Sequence, residues 1–229
     1  FDLAGLPKDR YYLYRSHWNT AEPTIHLLPH WNWAGREGEV TPVYCYTNYP
    51  TAELFLNGVS QGKITKDPKS RLDRYRLRWN NVKYQPGELK VVVNDADGNQ
   101  SGTRTLKTAG KASRIRVGGD HLLYPDGQLP VLKADGQDMA FLTVDITDRD
   151  GNLCPTANNE IHVEVTGSGI FKGICNGDAT SLEPFTTPFM HAFNGQLVIG
   201  IQSVKQPGTI NVKVSSKDLK TANVELTVE

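Results

Sequence analysis

Apolar and polar residues alternate with period two along most of this chain. "MAFLTVDITDRDGN" sets Leu142, Val144 and Ile146 on one face and Phe141, Thr143 and Asp145 on the other. That alternation predicts a half-buried strand whose inner face is the aliphatic one. "EIHVEVTGSG" repeats the pattern with Ile161, Val163 and Val165 inward, and "EVTPVYCYTN" with Val43, Cys45 and Thr47. "YRLRWNNV" sets Tyr75, Leu77 and Trp79 against Arg74, Arg76 and Arg78. Between such runs stand Asn57-Gly58, Asp97-Gly98 and Asp150-Gly151, dipeptides that accept the positive φ angles of tight turns. Further strands are expected in "GELKVVVNDADGNQ", "NGQLVIGIQSV", "GTINVKVSS" and "NVELTVE". Short strands separated by turn residues predict an all-β chain of two small β-sandwiches in tandem.

One segment departs from period two. In "GLPKDRYYLYRSHW", Leu6, Tyr11, Tyr14 and Trp18 recur every three to five residues, an amphipathic helical spacing. Pro7 suits a first turn, Asp9 suits the positive helix end, and Pro23 stops the chain from continuing. The expected divisions are this helix within residues 1–23, a first sandwich over 24–109 and a second over 110–229. Gly110 and Lys111 mark a short link.

Charge narrows the function classes. Lys and Arg number 25, as do Asp and Glu, across 229 residues. A formal charge of zero argues against the clustered cations that nucleic acid or an anionic membrane surface demands. No apolar run approaches the roughly 20 residues of a membrane span. The opening "FDLAGLPKDR" has no initiator Met and no signal-peptide pattern, so a piece of a longer protein is expected, with any export signal upstream. Cys45, Cys154 and Cys175 are too few and too widely spaced for a disulfide framework or a zinc site. They read as small core residues, with a Cys154–Cys175 bridge left open.

Catalytic signatures are missing: no G-x-S-x-G, no H-E-x-x-H and no glycine-rich phosphate loop. Asn159-Glu160 resembles an acid-bearing pair of retaining glycosidases, but it opens a strand and has no nominated second carboxylate about 5 to 5.5 Å away. "DITDRDGN" and "NGDATSLE" offer Asp148, Asp150, Asp178 and Glu183 as oxygen ligands for calcium. Acidic residues beside glycine equally serve turns, and that reading is preferred. Of the histidines at 17, 26, 30, 121, 162 and 191, His26 and His30 have a zinc-like spacing only on a helix, which Pro29 interrupts. No metal or other cofactor is expected.

Two long runs carry a resemblance. "GLPKDRYYLYRSHW" followed by "HLLPHWNWAGREGEVTPVYCYTNYPTAELFLNGVSQGK" resembles the region after the catalytic barrel in glycoside hydrolase family 2, β-galactosidase-like enzymes. "DGQDMAFLTVDITDRDGNLCPTANNEIHVEVTGSGIFKGICNGDATSLEPF" is similar to their C-terminal immunoglobulin-like domain. The resemblance implies two immunoglobulin-like sandwiches preceded by the last helix of a (β/α)8 barrel, which would be this chain's main partner. Both catalytic glutamates would lie in the absent barrel, so no residue here inherits their role. The parent would cleave a terminal β-linked sugar with retention. It would be an exported, periplasmic bacterial protein.

"HLLPHWNW" at the junction poses the open question. Trp31 or Trp33, with His30 and Asn32, would contact a sugar at the rim of the barrel, since an indole face suits a pyranose and its N–H suits a hydroxyl. Alternatively both indoles plug the junction between helix and sandwich. An autonomous carbohydrate-binding module is the competing reading for the chain as a whole.

Overall fold

In the computed structural model, residues 1–124 and 126–229 are described. The chain divides into two compact units, one of Phe1 with Pro7–Thr108 and one of Asp2–Leu6 with Ala109–Glu229. Each is a β-sandwich.

The first unit contains α1 (Asp9–Trp18), β1 (Ile25–Leu28), β2 (Val43–Thr47), β3 (Thr51–Leu56), β4 (Val59–Thr65), β5 (Leu77–Trp79), β6 (Glu88–Asn94) and β7 (Gln100–Lys107). Its sheets run β1-β2-β5 and β4-β3-β6-β7, all antiparallel. The alternation expected from the sequence is what builds the core. Ala52, Leu54 and Leu56 of β3 lie beside Leu89, Val91 and Val93 of β6, and Val43, Cys45 and Leu77 complete the apolar layer. Asn57 and Gly58 take φ angles of 49° and 80°, the pair of left-handed residues that reverses β3 into β4.

The second unit holds β8 (Arg114–Gly119), β9 (Met139–Thr147), β10 (Glu160–Gly167), β11 (Gly169–Cys175), β12 (Phe189–His191), β13 (Gln196–Ser203), β14 (Gly208–Ser215) and β15 (Ala222–Val228). Sheets β12-β10-β14-β15 and β11-β13-β9-β8 enclose a mainly aliphatic centre around Leu142, Ile161, Leu197, Ile199 and Ile210, with Met190 and Cys154 among them. Burying each such side chain contributes about 1.5–3 kcal/mol. Among the described residues, ladder irregularities place an extra residue on β4, β7 and β11, each an edge strand.

Two expectations are corrected. On β9 both faces are buried beyond Phe141: Thr143, Asp145 and Thr147 are each 2% exposed. The polar face is closed because Arg116 donates to Asp145 Oδ2 from Nε (3.1 Å) and Nη2 (2.8 Å), and Gln196 donates to Oδ1 at 2.7 Å. His121 stands 3.7 Å away. A carboxylate is tolerated in an interior when its oxygens are hydrogen-bonded and its charge is paired, as here. Burial alone would raise the Asp145 pKa, but His121, Gln196 and Arg116 bring it below the usual value.

The second correction concerns the helix. Its expected apolar stripe is not its buried side, since Tyr14 is 49% and Trp18 79% exposed, their rings stacked on each other at 4.9 Å. The packed side is polar and aromatic. Tyr12 stacks on His26 at 3.9 Å and 7°, Asp9 accepts from His26 at 2.7 Å, Ser16 is buried, and Arg15 donates to Thr24 at 2.6 Å. Spacing identified a helix but not its inward face, because that face is chosen by hydrogen-bonding partners on β1 and the chain that precedes it.

Candidate functional site

The segment between β1 and β2 carries all four residues singled out for sugar contact. The Leu28–Pro29 peptide is cis. Gly35 and Gly38 take φ of 84° and 85°, and with these left-handed residues the chain leaves the strand in an irregular excursion. This excursion separates its two tryptophans. Trp31 is 1% exposed, lies edge-on to Tyr84 at 5.1 Å, and donates Nε1–H to the Gln85 carbonyl at 2.9 Å. Thr108 donates its hydroxyl to the Trp31 carbonyl at 2.6 Å. Trp31 therefore belongs to the core and offers no face to a sugar; its expected stacking role is replaced by an anchoring one.

Trp33 is half-buried at the edge of the same core. His30 stacks on it at 4.3 Å and 21°, and the Arg36 guanidinium lies 5.3 Å from the ring centre. The Asn32 amide donates to His30 Nδ1 at 3.2 Å, which puts the imidazole proton on Nε2. Burial lowers the His30 pKa, with Asp9 opposing weakly, so the neutral ring is favoured at pH 7. Arg36 is braced by Glu39 at 2.9 Å. The indole Nε1 of Trp33 is buried and has no hydrogen-bond partner. A buried donor in that state costs about 1–3 kcal/mol, so an acceptor brought against it would be held firmly. His30, Asn32 and Trp33 thus come together, Trp31 stands behind them, and Arg36 joins them. Spacing could have nominated Arg36, because a cation three residues from an exposed indole is a common stacking partner.

The remaining candidates have structural explanations. Asp148 accepts from the amides of Gly110, Asp150 and Asn152 and from the Asn152 side chain, at 2.8 to 3.0 Å. Burial would raise its pKa, but these bonds hold it down at about 2. Asp150 faces Arg149 at 3.7 Å, Asp178 closes a turn on Thr180, and Glu183 accepts from His191 and Ser181. Glu160 pairs with its neighbour His162 at 2.7 Å. Among the described residues no three of His, Cys, Asp or Glu are grouped as metal ligands. All three cysteines are free, so the Cys154–Cys175 bridge is not formed. Burial pushes the Cys45 thiol up to about 12. In the second unit a groove of about 320 Å³ has Gly173, Gly200 and Val198 among its lining, beside Phe141 and Phe185. Of its residues only Lys172 carries a charge to orient a ligand.

One charge feature escaped the sequence reading. Seven cationic residues and only two acidic ones lie between Lys63 and Arg78, a local excess that the zero net charge conceals.

Residues 128–225 match glycoside hydrolase family 2 C-terminal domain 5, and residues 38–102 match a domain of unknown function, DUF4982. Over its full length the chain is 39% identical to β-galactosidase BoGH2A of Bacteroides ovatus, of which it spans 25%. It is 26% identical to a β-glucuronidase of Formosa agariphila, covering 98% of this chain and 21% of that one. The fold superposes on a β-glycosidase from Bacteroides vulgatus with a TM-score of 0.88 at 31% identity, covering all of this chain and 27% of the other. The chain therefore spans about a quarter of the length of these relatives. Among the described residues no helix is long and apolar enough to cross a membrane.

Proposed function

We propose that this chain, a C-terminal region of glycoside hydrolase family 2, is the non-catalytic support of a barrel whose rim it completes with Trp33. The parent would hydrolyse a terminal β-linked sugar with retention, using two carboxylates outside this chain. Relatives named for β-galactosidase and for β-glucuronidase activity leave both sugars in view. An exported, periplasmic setting is part of the same reading.

The observation that carries the rim assignment is the His30–Trp33–Arg36 stack with its unpartnered indole N–H, at the edge of the core to which Trp31 belongs. A half-exposed indole of this kind favours the apolar face of a pyranose, and the nearby N–H groups suit its hydroxyls. His30 and Asn32 support the stack rather than act on bonds.

The test has two arms. The 229-residue chain should release no nitrophenol from nitrophenyl β-galactoside or β-glucuronide, and turnover that survives repurification would defeat the non-catalytic reading. In the full-length parent, Trp33→Ala should raise KM about three- to tenfold with kcat nearly unchanged, the signature of lost uniform binding. An unchanged KM would remove Trp33 from the rim. Titrating the chain's tryptophan fluorescence with galactose and lactose addresses the alternative, an autonomous binding module, which requires a saturable change abolished by Trp33→Ala.

A further inference from the structure

The positive stretch from Lys63 to Arg78 lies within the first unit, running from the end of β4 through the connecting loop into β5. Its two acids are largely committed. Asp73 accepts from Arg78 at both oxygens, at 2.5 and 2.9 Å, and from Ser70; Asp67 caps the amide of Lys69. Lys66 is drawn inward, donating to the Thr47 carbonyl at 2.5 Å. That leaves Lys63, Lys69, Arg71, Arg74 and Arg76 without an ion pair among the described residues. The first four are exposed. Two of the arginines are pre-set by aromatic rings: Arg74 lies 4.4 Å over Tyr75, and Arg76 lies 5.8 Å over Tyr46. Tyr75 is itself fixed by His17, edge-on at 5.0 Å. The buried Arg76 Nε has no hydrogen-bond partner, and the residue borders a cleft of about 220 Å³ that Thr65, Asn80 and the Asp73–Arg78 pair also line, with Asp67 at the same cleft, so the free cations for an anion are those of the exposed loop around it.

We propose that this surface binds an acidic polysaccharide, one whose sugars carry carboxylates or sulfates. Planar guanidinium groups, held by stacking with their N–H edges free, match the fork of a carboxylate or sulfate and lose little freedom on binding. Thr65 and Asn80 supply the neutral hydrogen bonds that sugar hydroxyls need. Nucleic acid fits less well. Single strands need bare aromatic faces for base stacking, and here guanidinium groups already cover Tyr75 and Tyr46. Specific duplex binding buries at least about 600 Å² of basic surface, whereas this excess is confined to one loop and its flanking strands. The rest of the chain is net acidic, which opposes a long polyanion beyond that loop. This binding is independent of the catalytic reading above, because neither the loop's cations nor their aromatic supports belong to the Trp33 stack.

The test is electrophoresis of the 229-residue chain through native gels containing polygalacturonate, chondroitin sulfate or neutral galactan, with an oligo-dT titration alongside. Retardation by either anionic polymer, reduced by salt and absent in galactan, is expected, and which polymer acts tells carboxylate from sulfate. Lys69→Ala/Arg71→Ala/Arg74→Ala should weaken it roughly tenfold, since each exposed pair is worth only a fraction of the whole. All three residues are exposed, so the variant should keep the wild-type Tm. No retardation in either anionic gel, equal retardation of the variant, or oligo-dT binding as tight as the polysaccharide would each overturn the proposal.

Discussion

The two sandwiches treat charge in opposite ways. In the second, the buried acids are enclosed: Asp145 by Arg116 and Gln196, Asp148 by three amides and Asn152. In the first, Trp33 Nε1 and Arg76 Nε are buried without a hydrogen-bond partner, and Lys69, Arg71 and Arg74 of the β4–β5 loop are exposed without an ion pair among the described residues. All four tryptophans of the chain belong to the first unit and none to the second. Closed polar groups fix a fold, while open ones are available to a ligand. Under the two proposals above, recognition falls to the first unit and rigidity to the second.

The largest effect that would sharpen this contrast is in the first unit's core. Trp31→Ala should destabilise that unit by about 3–5 kcal/mol, through lost burial and the cavity left behind. Tryptophan fluorescence in a urea titration reports this unit alone, because the other contains no indole. A midpoint close to wild type would mean that Trp31 is not an anchor. Next comes Asp145→Ala, expected to cost the second unit about 2 kcal/mol. Loss of a buried partner costs about 3–5 kcal/mol, but Arg116 is more than half exposed and can turn to water. Faster amide exchange along β9 and β13 would register it; unchanged protection would show the cage to be ornamental to stability.

Acid tests the same enclosure without mutation. The folded pKa of Asp148, about 2, lies below its unfolded value near 3.8. Its contribution, about 2 kcal/mol, is therefore present above pH 4 and lost as pH falls through 2. Asp145 acts in the same direction. His121 acts oppositely: the neighbouring Asp145 raises its pKa, so its contribution is present below about 6.5 and fades as pH rises through the folded value. Melting followed by circular dichroism from pH 7 to pH 2 should show the fall between pH 4 and 2, and Asp148→Asn should flatten it. The smallest effect is Trp33→Ala, under about 1 kcal/mol, since the lost packing is partial and an orphaned donor disappears with it. A loss as large as that of Trp31 would erase the distinction between anchor and contact.

Much of the fold was legible because period two is a direct consequence of strand geometry. β2 and β10 bury the residues the alternation names, Val43, Cys45 and Thr47 on one and Ile161 and Val163 on the other, and Asn57-Gly58 turns where expected. What failed had physical causes. Thr143 and Asp145 look like a solvent face until Arg116 and Gln196, from other strands, close over them. Trp31 and Trp33 flank one residue, and alternation would give them one face; an irregular excursion with glycines of positive φ follows no such period. The basic loop vanished into a net charge of zero, an average that is blind to position. The sequence drew attention to this segment, and the structure divides its two indoles between the core and the core's edge.

The extra residues on β4, β7 and β11 have a consequence for life in concentrated solution. Each interrupts a sheet margin whose unpaired amides and carbonyls would otherwise invite a strand from another molecule. Both margins of one sheet in the first unit are interrupted in this way. A foreign strand meeting such a kink loses register within a few residues, so neither runaway sheet extension nor fibril growth finds a template there. Three margins of a chain built almost wholly of strands are thereby closed to such pairing.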